Sequence, residues 1–175
     1  MYVKKIFIYS STDGQSQKIC EFLKNRFDDA HTISIDQIDI KYLKDFDHLI
    51  IGASVRYGDH NKKVYEFINK NKLFLKSKKT AFFSVNATAR KAKKDSVSTN
   101  PYIIKFLKKT QWSPDKIAVF AGKIDYSKYS FIDKYIIKLI MWITNGPTDT
   151  SKCFEFTDWE KVKIFSKEIE FVNPT

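Results

Sequence analysis

Residues 4–26 read KKIFIYSSTDGQSQKICEFLKNR. Lys4 to Tyr9 have the apolar character of a strand. Ile19, Phe22 and Leu23 then share one face at helical spacing, which predicts a helix from about Gln15 to Arg26. Between the two stand Ser10, Ser11, Thr12, Asp13, Gly14, Gln15 and Ser16, small hydroxylated residues around one glycine. The turn is either a plain connection or a cradle for a phosphate. A strand, a turn and a helix in succession form one unit of an α/β sheet.

The same unit recurs along the chain. HTISID (31–36) alternates like a short strand. DHLIIGAS (47–54) is apolar throughout, entered through Asp47 and ended by Gly52, and suits a strand buried on both faces. Residues 60–75 read as one helix with Val64, Phe67, Ile68 and Leu75 inward. KTAFFSVN (79–86) is another buried strand. NPYIIKFLKKTQ (100–111) is a helix with Pro101 in its first turn. KIAVFAGK (116–123) is a further strand. The last helix is Asp158 to Phe171, where Thr157 and Glu160 have capping-box spacing. Strands alternating with helices, several apolar end to end, predict a single domain over 1–175. Its expected architecture is a three-layer, doubly wound, five-stranded parallel sheet.

Composition agrees with a folded domain. The 175 residues are 43% hydrophobic and 15% aromatic. No charged-then-apolar leader opens the chain and no apolar run reaches bilayer length, so a cytoplasmic protein is expected. Cys20 and Cys153 are far apart, and His31, His48 and His60 lack ligand-spaced partners, so no metal is expected. The net charge of +11 suits either an anionic partner or a lysine-rich solvated surface. The basic residues are scattered and no recognition motif is present, so nucleic acid is not expected.

Doubly wound sheets bind ligands beyond the carboxyl ends of their strands. That singles out SSTDGQS (10–16), ASVRYGDH (53–60), SVNATARK (84–91) and AGKIDYS (121–127). The first offers hydroxyls, a flexible Gly14 and the amides of a helix N-terminus. It matches neither dinucleotide nor triphosphate fingerprints. The second places Tyr57 beside Arg56 and Gly58, an aromatic and a charge for a flat ligand. The third has Asn86 and Thr88 for a heterocycle edge, then the basic Arg90, Lys91, Lys93 and Lys94. The fourth offers Gly122, Lys123, Asp125 and Tyr126. One phosphate cradle and several ring-holding loops together point to flavin mononucleotide, FMN.

The sequence resembles the bacterial menaquinone-dependent protoporphyrinogen IX dehydrogenases, flavodoxin-like enzymes of haem biosynthesis. The resemblance rests on STDGQS (11–16), IGASVRYG (51–58), FFSVNATARK (82–91), NPYIIKFLKKTQWSPDKIAVFAG (100–122), YSKYSFIDKYIIKLIMWITNGPTDTSK (126–152) and TDWEKV (157–162). It implies the flavodoxin strand order 2-1-3-4-5, with Ser10 to Ser16 around the FMN phosphate. It sets Ser54, Val55, Arg56, Tyr57 and Gly58 along one side of the isoalloxazine. Ser84, Val85, Asn86, Ala87 and Thr88, with Gly122, Lys123, Asp125 and Tyr126, hold the other side and edge. Ser16 stands where threonine is usual, and Ser11 and Thr12 also depart from the family's loop, yet all keep hydroxyls.

Residues 126–152 interrupt the expected step from last strand to last helix, as a family-specific insertion. Within FIDKYIIKLIMWI (131–143), Ile132, Tyr135, Ile136, Leu139, Ile140 and Ile143 share a face. Three roles stay open for it: core cover, membrane-surface helix, or apolar lid over the flavin. The resemblance implies oxidation of protoporphyrinogen IX to protoporphyrin IX with menaquinone or ubiquinone as acceptor. A protein peripheral on the inner face of the cell membrane is then expected, with homo-oligomers left open. Candidate residues for charge on the reduced ring are Arg56 and Lys123. Those for the substrate's propionates are Arg90, Lys91, Lys93 and Lys94, with Lys134 and Lys138 facing substrate or headgroups. The alternatives are a flavodoxin-type electron carrier and an FMN-dependent quinone reductase.

Overall fold

The computed structural model describes residues 3–171. Its strands are β1 (Lys5–Ser10), β2 (Ala30–Ser34), β3 (His48–Arg56), β4 (Asp59–His60), β5 (Lys79–Asn86), β6 (Lys116–Ala121), β7 (Lys123–Asp125) and β8 (Cys153–Glu155). Five of them pair in parallel in the order β2-β1-β3-β5-β6. The two-residue β4 only folds back antiparallel on the end of β3. Leaving β4 uncounted, this is the expected order 2-1-3-4-5.

The helices are α1 (Gln15–Lys24), α2 (Ile40–Leu43), α3 (Lys62–Lys70), α4 (Lys72–Lys76), α5 (Pro101–Thr110), α6 (Phe131–Ile143) and α7 (Trp159–Glu168). Ile19 and Leu23 of α1 and Val162 and Phe165 of α7 pack with Phe7, Ile50 and Phe83 on one sheet face. Val64, Ile68, Leu75, Ile103 and Phe106, from α3, α4 and α5, pack with Ile6, Ile51 and Phe82 on the other. The apolar strand runs are therefore buried on both sides, as parallel sheets require.

Four local expectations are corrected. Gly52 does not end β3 but lies within it, paired with Phe83. A Cβ there would sit 2.1 Å from the Phe83 ring, so glycine is needed for close packing. Residues 60–75 are not one helix: His60 belongs to β4, and the helix breaks at Asn71, whose side chain donates to the Phe67 carbonyl. KIAVFAGK is two strands, because after Ala121 the chain leaves the sheet and β7 pairs antiparallel with β8. The last helix is capped by Asp158, which accepts from the amides of Glu160 and Lys161. The Thr157 hydroxyl instead donates to the Ala121 carbonyl, tying the helix start to β6.

The β7–β8 ladder pairs Asp125 with Cys153, so the excursion leaves and rejoins the body at adjacent points. It holds a short 3-10 turn and α6, which matches the expected helix at both ends. Its apolar face does not serve as core. Ile132 is 70% exposed, Ile143 66%, Tyr135 56% and Leu139 55%. Met141 alone of the helix is buried, against Tyr126 and Ile124.

Candidate functional site

The carboxyl ends of β1, β3, β5 and β6 meet at one edge of the sheet, beneath α6. In the first loop, Gly14 adopts φ +85° with open space around its Cα, so backbone conformation alone requires glycine. It opens α1 with no side-chain cap and no acidic residue in the first turn. The first-turn amides thus have no side-chain acceptor, an arrangement that suits an anion. The hydroxyl oxygens of Ser11 and Ser16 are buried and have no hydrogen-bond partner. A buried hydroxyl is costly unless paired. Two such groups beside an uncapped helix start fit a phosphate. Ser54 Oγ braces this loop, accepting from Thr12 N at 3.2 Å and donating to the Ser10 carbonyl at 3.4 Å.

Beside the loop lies a cavity of about 300 Å³. Of the expected residues, Asp13, Gln15, Ser54, Val55, Arg56, Tyr57, Gly58, Val85, Asn86, Ala87, Thr88, Gly122 and Lys123 line it, as do Arg90 and Lys91. Ser84 lies beneath the wall, sharing a 2.9 Å hydrogen bond with His60. Asp125 faces Lys123 at 3.6 Å, and Tyr126 is fully buried with its hydroxyl on the Pro147 carbonyl. Lys134 and Lys138 lie on α6 off the cavity wall.

Several side chains have duties that the sequence did not disclose. Gln15 donates its amide to Glu155 at 3.1 Å and to Thr157 at 2.8 Å, so it joins the loop to β8. Arg56 is held between two carboxylates, Nη1 to Asp13 and Nη2 to Asp133, each at 3.1 Å. It lies over the rings of Tyr57 and Tyr129. The Tyr57 hydroxyl donates to Asp133, and that of Tyr129 to Asp13. Burial lowers the Arg56 pKa, but Tyr57 and the two carboxylates outweigh it and hold the group above its ordinary value. Hydrogen bonds from Tyr57, Ser130 and Arg56 hold the Asp133 carboxyl below its usual range. Arg90 braces the end of α6, donating to the Thr144 carbonyl, the Thr144 hydroxyl and the Ala87 carbonyl. Desolvation lowers its pKa, and among the described residues no carboxylate forms an ion pair with it.

A family profile described as Flavodoxin domain matches residues 6–151. Two relatives named protoporphyrinogen IX dehydrogenase [quinone] align along nearly the whole chain. That of Escherichia coli (strain K12) is 39% identical over 171 residues, covering 95% of this chain and 94% of its own. That of Leishmania major is 36% identical over 170 residues, covering 94% of this chain and 74% of its own. The chain belongs to this flavodoxin-domain family of dehydrogenases.

Its fold is also that of oxidised Flavodoxin 1 from Bacillus cereus, at TM-score 0.56 and 16% identity over 97% of this chain and 99% of that one. A Lactobacillus acidophilus flavoprotein, solved in complex with FMN, superposes at TM-score 0.51 and 16% identity, covering 67% of this chain and 93% of that one.

The fold also puts on the cavity wall residues not named for it in the sequence, Tyr102, Ile124, Tyr129, Ile137, Met141 and Thr144, beside Ile140 from the stripe left open as a lid. Ile140 carried a signal, since it sat on an apolar stripe in an insertion. Tyr102 and Tyr129 carried none, being single aromatics brought in by tertiary contacts.

Proposed function

We propose that this protein is an FMN-dependent protoporphyrinogen IX dehydrogenase delivering electrons to a membrane quinone. One observation carries the reading: an uncapped helix start with two unpartnered buried hydroxyls opens beside a cavity roofed by apolar residues of α6. The relatives' names give the substrate and acceptor.

Ser11, Ser16 and the first amides of α1 hold the FMN phosphate. Val55, Tyr57, Asn86, Thr88 and Gly122, which line the cavity, would hold the ring. Bound there, FMN supplies a two-electron acceptor for hydride equivalents leaving the reduced tetrapyrrole. The chain's own contribution is to orient the two partners and exclude water, through Ile137, Ile140 and Met141 overhead. Lys123 on the cavity wall, tempered by Asp125, would offer a cation to the bound flavin. Arg56 is matched by two carboxylates, which leaves it less charge to offer a reduced ring. Lys91 and Lys94 on the cavity wall suit the substrate's propionates.

The outward face of α6 supports a peripheral membrane site. No described helix is long and apolar enough to cross a bilayer. An exposed apolar face flanked by Lys134 and Lys138 suits the plane of an anionic surface. Residues 126–152 act as the insertion of a single domain. A carrier needs no such roof, which disfavours the flavodoxin-type alternative.

The test is anaerobic turnover of protoporphyrinogen IX by FMN-loaded protein, read as porphyrin fluorescence. Fluorescence that rises only when menaquinone or ubiquinone is added is the expected result. A flavin-loaded sample that yields no porphyrin with either quinone overturns the reading.

A further inference from the structure

We propose that Arg56 is a carboxylate seat for the substrate and that Asp133 occupies it as an internal stand-in. The inference rests on the dehydrogenase reading above and concerns how the substrate's carboxylates are met.

Arg56 lines the cavity and binds two carboxylates, Asp13 from the loop after β1 and Asp133 from α6. The two are not equivalent. Asp13 belongs to the loop after β1 and is also held by Tyr129. Asp133 comes from α6, which attaches to the body lightly, with Met141 as its buried side chain. Beyond Arg56, the Asp133 carboxylate is bonded by the exposed Tyr57 hydroxyl and by Ser130, which caps the same helix and moves with it. Freeing it exposes little apolar surface. Once free, the carboxylate still sits in the first turn of α6, where the helix dipole favours it.

Charge counting points the same way. One guanidinium against two carboxylates leaves the cluster one negative charge in excess. A substrate carboxylate arriving while Asp133 stays would make three carboxylates around one cation. Exchange instead keeps the charge constant and retains a planar arginine–carboxylate pair. It also frees the N-terminal end of α6, while Arg90 still holds the C-terminal end at Thr144. The helix then pivots about its braced end as substrate enters.

The experiment uses FMN-loaded full-length protein and two probes, protoporphyrin IX and its dimethyl ester, in the same detergent. Affinities are read by fluorescence quenching for wild type, Asp133→Asn and Arg56→Gln. Removing the stand-in is expected to tighten binding of the diacid by about tenfold, the worth of one charge-assisted pair. Ester binding should stay unchanged. Arg56→Gln should bind diacid and ester alike. Diacid binding that is unchanged or weaker in Asp133→Asn overturns the exchange, while porphyrin turnover by the wild type leaves the dehydrogenase reading standing. Failure of wild type to bind either porphyrin overturns the exchange, and absence of quinone-dependent turnover overturns the dehydrogenase reading beneath it.

Discussion

Ser16 shows what one atom adds to a loop. Its hydroxyl is fully buried and unpartnered, as is that of Ser11. An unsatisfied buried group costs about 1–3 kcal/mol. Ser16→Ala is therefore expected to leave the melting temperature of ligand-free protein unchanged or raised. FMN affinity should fall by about tenfold or more, since a hydrogen bond to an anion is lost. Calorimetry and flavin fluorescence titration check the two halves separately. This residue was legible in the sequence because a hydroxyl-rich turn between strand and helix has few uses. The Arg56–Asp133 contact was not. Its partners are 77 positions apart, and no periodicity links an arginine in one loop to an aspartate in an insertion.

At the scale of elements, α6 shows how far pattern reading reaches. Period and end signals located the helix correctly, and the apolar stripe was real. A stripe says that something must cover it, not whether that is core, lipid or ligand. The same limit applied at residues 60–75, where the apolar spacing ran through Asn71 without showing that its side chain breaks the helix. Because the α6 face is solvent-exposed, substitutions there should separate binding from folding. Leu139→Ser with Ile143→Ser is expected to keep the wild-type melting temperature. Partitioning onto vesicles rich in anionic lipid should fall roughly a hundredfold, if each side chain contributes about 1.5 kcal/mol. Flotation of wild type and double variant at equal protein concentration measures it. Equal flotation would remove α6 from the membrane contact.

For the molecule as a whole, the topology was legible because buried parallel strands are apolar throughout and their order follows from crossover handedness. The site followed, since such sheets bind at their carboxyl edge. Global stability holds a pH dependence that no sequence pattern disclosed. Burial, with help from Lys5, lowers the His48 pKa to about 4. Burial likewise lowers that of His60 to about 4, with Asp59 opposing. Both folded values lie below the unfolded one near 6.5, so the unfolded chain binds protons first. Stability is full above pH 6.5 and is lost as pH falls from 6.5 through 4, by about 2–3 kcal/mol per histidine. Urea midpoints at pH 7 and pH 5 should differ accordingly. The difference should shrink in a His48→Gln, His60→Gln protein.

The pairing of Asp125 with Cys153 has a consequence for ancestry and engineering. The two ends of the accessory segment stand across a single antiparallel rung, the spacing that a two-residue hairpin turn closes without strain. Splicing a segment in or out at that rung leaves the parallel sheet and its phosphate loop in register. On the dehydrogenase reading proposed above, substrate choice would travel with this segment, and the flavin scaffold beneath it would accept another in its place.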